Sequence, residues 1–219
     1  MIKNDTFNRT GTNHQLSASL YNLILGAVLL WGFAFNWWLV TTVPVEVVKA
    51  IHPIVFFIGY LASCMSGIYI IFSSKNPGVS FVGYNLLVVP LGLLLVMVIP
   101  DHSQENIMAA IRTTTFLTVA MMALGTFFPG FFNRIEGTLL CALLATVVVQ
   151  LILAFVFHAD LGALDWIVAA LFCGYIGVDW GRANQIERTV DNAVDSAAAL
   201  YLDIINLFLR ILRIMSKKR

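Results

Sequence analysis

The stretch WIVAALFCGYIGVDWGRANQIERTVDNAVDSAAALYLDIINLFLRILRI, residues 166–214, contains two apolar runs with one aspartate in each, Asp179 and Asp203. Residues 166–178 are uncharged, and as a helix they span only about 20 Å. A membrane helix needs about 30 Å of apolar length, so a span here carries Asp179 below the headgroups, or Asp165 at its other end. Asp203 lies inside the apolar run 197–214. Ionised carboxylates are costly in hydrocarbon, which makes the pair a functional candidate.

The midpoint between the aspartates is position 191, within the polar stretch 185–195. A helical hairpin turning there puts both at one depth, roughly 6–9 Å inside the cytoplasmic edge if the helices end near Ala183 and Ala197. Gly177 and Gly181 flank Asp179 as a pair of small residues one turn apart, and Ala197, Ala198 and Ala199 open the last run. Such residues let backbones approach, so the two helices are expected to pack closely. Two carboxylates in a poorly hydrated site cannot both ionise cheaply, so the pair is expected to titrate as a unit and to gate by sensing pH. With both ionised, the site repels itself or attracts a hard cation. Ca²⁺, which takes oxygen ligands in irregular geometry, is the candidate transient metal at Asp179 and Asp203. The plainer alternative is that each aspartate caps a helix or pairs with an arginine.

Asp203, Asn206, Arg210 and Arg213 recur at spacings of three and four, one face of a helix. A polar stripe on a spanning helix faces the bundle interior, so the last segment is expected to be central with Asn206, Arg210 and Arg213 as its supporting polar face. The alternative is an amphipathic helix lying flat at the interface.

Working outward, charges punctuate the chain. Uncharged runs of about 20 residues or more, each enough for one span, lie between Arg9 and Glu46, Lys49 and Lys75, Lys75 and Asp101, Arg112 and Arg134, and Glu136 and Asp160. With the two runs above they make seven hydrophobic segments. The composition agrees: 59% of the 219 residues are apolar and only 11% charged, which points to a polytopic membrane protein. The expected fold is all-α, a seven-helix transmembrane bundle with the C-terminal helix central. Its expected parts are a polar cytoplasmic N-terminus (1–16), one transmembrane domain (17–215) and a basic tail (216–219). The first apolar run is too long for a signal peptide and reads as a retained helix. Asn76, Pro77 and Gly78 mark one turn and Pro129 with Gly130 another, while Pro90 should kink the third segment. Lys3, Arg9, Lys75, Arg134, Arg182 and Arg188 fall on one side and only Lys49 and Arg112 on the other, which predicts a cytoplasmic N-terminus. The tail residues Arg210, Arg213, Lys217, Lys218 and Arg219 oppose this bias if the last segment crosses. Either that segment re-enters, or packing overrides the rule.

GYIGVDWGRANQIE (174–187) and ALYLDIINLFLRILRI (199–214) resemble the Bax inhibitor-1 family, especially its bacterial members. The resemblance is specific in these two segments and extends over the rest through segment count and spacing. It implies six helices around the C-terminal one, a pH-sensing pair at Asp179 and Asp203, and a pH-sensitive calcium leak in a bacterial inner membrane. It also implies that Arg213 pairs with an acidic partner. The chain departs from the pattern in two places: Lys75 alone stands where an arginine cluster follows segment 2, as a candidate latch, and residues 55–74 contain no acid to answer Arg213.

The remaining features read plainly. Cys64, Cys141 and Cys173 lack metal-ligand spacing and read as buried free thiols. His14, His52, His102 and His158 share no helical spacing, and the last three fall near predicted membrane edges. Trp31, Trp37, Trp38, Trp166 and Trp180 suit packing or interface anchoring. Two sequons, Asn4 to Thr6 and Asn8 to Thr10, go unused if the N-terminus is cytoplasmic. Intramembrane aspartyl proteases also use two aspartates, but Val178 stands where their pattern needs a glycine, and no Pro-Ala-Leu occurs. Phosphate-loop, zinc and nucleophile-elbow motifs are absent, so no enzymatic activity and no cofactor is expected beyond Ca²⁺ as permeant ion and protons as regulator. The expected partners are the lipid bilayer, calcium ions and a candidate membrane protein such as a protease; no nucleic acid is expected. The runner-up function is a non-conducting protein that modulates another membrane complex.

Overall fold

The computed structural model describes residues 15–153 and 162–217. The described residues form α1 (Ala18–Thr42), α2 (Val45–Lys49), α3 (Pro53–Ser73), α4 (Pro77–Val98), a 3₁₀ turn (Ile99–Asp101), α5 (Gln104–Phe127), α6 (Pro129–Ile152), α7 (Gly162–Ala183) and α8 (Val190–Ser216), with no strand among them. Six are long and apolar enough to cross a membrane: α1, α3, α4 with its 3₁₀ turn, α5, α6 and α7. The longest, α8, carries Asp203, Arg210 and Arg213 within its apolar stretch and is not one of the six. Lys3, Arg9, both sequons, His14, His158, Lys218 and Arg219 lie outside the described residues.

Polar side chains start the helices where the turns were expected. Ser17, His52, Asn76 and Ser103 each accept a backbone N–H of the first turn of α1, α3, α4 and α5, satisfying donors that have no intrahelical partner. Pro77 and Pro129 sit in the first turns of α4 and α6, where a missing N–H costs nothing. α4 continues through Pro90, which is buried.

The chain divides into two compact units. One holds the described residues up to Asp101 together with Ile186–Tyr201; the other holds His102–Gln185 with the chain from Leu202 onward. In the first unit, α4 packs against α1 and α3. The α3–α4 crossing depends on glycine: a Cβ on Gly67 would lie 2.6 Å from the Gly83 carbonyl. The second unit repeats the device, with α7 packed against α5 and α6 and a Cβ on Gly125 only 2.5 Å from the Gly177 carbonyl. Gly177 and Gly181 therefore serve a different contact from the one expected. They admit Phe132 of α6 and Gly125 of α5 rather than the last helix, because a glycine face receives whichever backbone comes closest.

α7 ends at Ala183 as expected, but α8 begins at Val190, not near Ala197. Thr189 Oγ1 accepts the Asn192 N–H at 3.1 Å, and Asp191, Asn192 and Ser196 of the extra turns are buried with partners. Ser80 Oγ donates to Asp191 Oδ1 at 2.7 Å, and the Tyr21 and Ser196 hydroxyls are 3.1 Å apart. Polarity read as a loop is thus polarity consumed by packing in the first unit. The cysteines are free but none is fully buried, Cys141 being exposed. Trp31, Trp37, Trp38 and Trp166 are exposed, as anchors should be, whereas the Trp180 indole donates to Thr126 Oγ1 at 2.8 Å.

Candidate functional site

Within the second unit, α7 and the last part of α8 run antiparallel. Asp179, near the end of α7, meets Asp203, and Asp165, in the first turn of α7, meets Arg210, Arg213 and Lys217 of the C-terminal turns of α8. Two contacts at opposite ends fix the register, so α8 reaches as far as α7 does. The flat-helix alternative does not fit, since within residues 202–216 of α8 only Arg213 is exposed.

At the first contact, the carboxyl groups of Asp179 and Asp203 are close neighbours that act on each other. Asp203 is 7% exposed and the Asp179 side chain 14%. Asp203 Oδ2 is buried and receives no N–H or hydroxyl donor from the protein. Ionised carboxylates only accept hydrogen bonds, so a bond between these two exists only when one of them carries a proton. The contact is therefore intrinsically sensitive to protonation.

Arg182, on the last turn of α7, completes the arrangement. Its Nη1 lies 3.3 Å from Asp179 Oδ1, and its Nη2 binds Glu136 Oε1 of α6. The plainer alternative, an aspartate paired with an arginine, thus holds for Asp179, and the same Arg182 charge acts on Asp203. Lys75, the candidate latch, is exposed in the linker between α3 and α4 and belongs to the first unit; the cation on Asp179 is Arg182.

At the second contact, Asp165 is 0% exposed and accepts from Arg210 Nη1 at 2.9 Å and Arg213 Nη1 at 3.1 Å, both on Oδ1. Lys217 Nζ stands 3.8 Å from Oδ2. Arg210 Nη2 also donates to Gln150 Oε1 at 3.3 Å. The stripe accordingly splits: Asp203 looks to α7, Arg210 and Arg213 converge on Asp165, and Asn206 Nδ2 donates to the Leu202 carbonyl of its own helix. The acid answering Arg213 lies in segment 6, not segment 2.

Asp165, Glu136 and Arg182 were not singled out as site residues from sequence. Asp165 had a usable signal, because the reflection about position 191 that pairs 179 with 203 also pairs 165 with 217. Glu136 had none, since it reaches Arg182 through the packing of α6 on α7. Among the described residues, no three His, Cys, Asp or Glu side chains are grouped to hold a metal ion.

A family model described as "Inhibitor of apoptosis-promoting Bax1" matches residues 13–219. The chain belongs to the Bax inhibitor-1 family. With six apolar helices, this makes it a multi-pass membrane protein. A "BI1-like protein" of Arabidopsis thaliana is 54% identical over 48 residues, 22% of this chain and 18% of that relative. The chain thus matches under a fifth of that relative's length. Within the Bax inhibitor-1 family, this chain sets Arg182 and Glu136 beside the aspartate pair and Asp165 beneath Arg213.

Proposed function

We propose that this Bax inhibitor-1 family protein is a pH-sensitive calcium leak channel, gated by Asp179 and Asp203. One observation carries the reading: two largely buried carboxyl groups face each other, where a hydrogen bond between them needs a shared proton. Protonated, the pair holds α7 to α8. Ionised, it repels itself and presents oxygens to a hard cation in transit. Two carboxylates without a third acidic ligand suit an ion passing through rather than one retained. Arg182 restrains Asp179 in place of a latch at Lys75. No step requires catalysis or a bound cofactor. The architecture proposed with it is a seven-span bundle with α8 central, which the burial of α8 on successive turns supports. The setting proposed is the inner (plasma) membrane of a bacterium with a cytoplasmic N-terminus, in line with the lysine and arginine bias of the loops.

The test is calcium flux in proteoliposomes across roughly pH 5–8, the range open to a shared-proton acid pair. Wild type should vary with pH, and the Asp179→Asn/Asp203→Asn double variant should give a flat profile. Equal, equally pH-dependent flux in both proteins rejects the gate. The family description as an inhibitor favours a second reading, a non-conducting modulator of another membrane complex. Silent proteoliposomes together with a stoichiometric co-purifying partner would select it.

A further inference from the structure

Two polar atoms of the second unit are enclosed without a protein partner in the same neighbourhood. Asp203 Oδ2 and the Tyr175 hydroxyl are both buried, and neither makes a hydrogen bond among the described residues. Tyr175 lies on α7 one turn before Asp179, and residues four apart share a helix face, here the face that meets Asp203. Of the charges around the Tyr175 hydroxyl, Asp203 acts most strongly, then Asp179, then Glu136 of α6, with the Cys141 thiol last. The cation of this group, Arg182, is held between Asp179 and Glu136. Residues 113–127 of α5, which packs on the same helix, contain no titratable group.

A carboxylate oxygen accepts hydrogen bonds and a hydroxyl both donates and accepts, so the two atoms complement each other across their separation. Buried polar groups without a protein partner are met by ordered water, which settles where about two to four polar groups converge. Tyr175, Asp203 and Asp179 supply that number. The polar groups then continue outward. Tyr175 is half-buried, and the Glu136 side chain is 38% exposed. We propose that Tyr175 relays the proton of the acid pair, through one bridging water, to and from Glu136. On release, the pair hands its proton to the water, and the water hands one of its own to the Tyr175 oxygen. The hydroxyl hydrogen then moves to the Glu136 carboxylate, which gives it up to bulk water; uptake runs in reverse. Tyr175 ends each passage neutral, as it began. The relay rests on the shared-proton reading of Asp179 and Asp203 and adds the route by which that proton comes and goes.

Infrared difference spectra of the full chain in lipid nanodiscs, recorded after a rapid drop in pH, test this. The carboxylic-acid carbonyl band that the Asp179→Asn/Asp203→Asn double variant lacks reports the proton of the pair. In Tyr175→Phe that band should reach its wild-type amplitude with the same pH midpoint, but about a hundredfold more slowly, the lower end of what a positioned proton-transfer group contributes. Tyr175→His, whose imidazole also passes protons, should recover part of the rate. The phenylalanine removes a hydroxyl that bonds to no protein group, so the thermal midpoint should stay where it is. Equal rates in wild type and Tyr175→Phe overturn the relay, and a shifted pH midpoint beside them would make the hydroxyl only a modulator of the pair's proton affinity. Absence of the band from wild type at every pH overturns the shared-proton reading and the relay with it, so the two failures are told apart.

Discussion

The two halves of α8 solve one problem, placing polar groups in an apolar interior, in different ways. Up to Tyr201 its polar residues meet hydroxyls and amides: Asp191 with Ser80, Ser196 with Tyr21, and Tyr201 accepting from Asn36 Nδ2 at 2.6 Å. From Asp203 onward they meet ionisable groups, Asp179 at one level and Asp165 at another. A hydroxyl or amide partner keeps no charge to gain or lose at physiological pH, so the first half is an anchor. A carboxyl–carboxyl contact changes with one proton, so the second half can be a switch. The difference teaches that buried polarity alone does not mark a functional site. What marks it is a partner whose charge can change.

The largest effect should come from Asp165→Ala, which takes from Arg210 and Arg213 the buried carboxylate they share. Removing one partner of a buried ion pair costs about 3–5 kcal/mol, to be read as a large drop in the thermal midpoint of the detergent-purified chain. In the other half, Tyr201→Phe leaves the Asn36 amide without its acceptor and should cost about 1–3 kcal/mol. If Tyr201→Phe proves the more damaging, the charged end is not the stronger clasp and the contrast breaks. Of similar size is Gly125→Ala, whose new methyl meets the Gly177 backbone and overpacks the α5–α7 crossing by about 1–3 kcal/mol. Gly130→Ala, with nothing within 4 Å, is its control and should stay within about 0.5 kcal/mol. Among the contacts, the smallest stability effect belongs to Glu136→Gln, a partly exposed pair worth at most about 1 kcal/mol. That variant should still alter the pH dependence of calcium flux, because Arg182 then loses the acid that competes with the aspartate pair for its charge. Tyr201→Phe should leave that dependence as it is. The same pH profile in Glu136→Gln and wild type would show that this arm does not touch the switch.

Much of this was legible before any coordinates. The hairpin register followed from the symmetry of 179 and 203 about the polar stretch, and the end of α7 fell at Ala183 as expected. The start of α8 did not, because Asp191, Asn192, Asp195 and Ser196 look like a solvated loop in sequence. Ser80, which meets Asp191, and Tyr21, which meets Ser196, lie more than a hundred residues away. Gly177 and Gly181 announced a close approach, but a glycine says only that a backbone comes near, not which one. Arg213 announced an acid without naming it, and Asp165 was hidden by its place at the end of an uncharged run.

Taken alone, the order of residues determined the helical class, the six apolar spans before the last helix and the acid pair, because hydropathy, period and reflection symmetry act along the chain. Tertiary packing decided which charge answers which. Only there do α6, α7 and α8 bring Glu136 to Arg182 and Asp165 to Arg213, and electrostatic energy depends on distance through space rather than on separation in sequence.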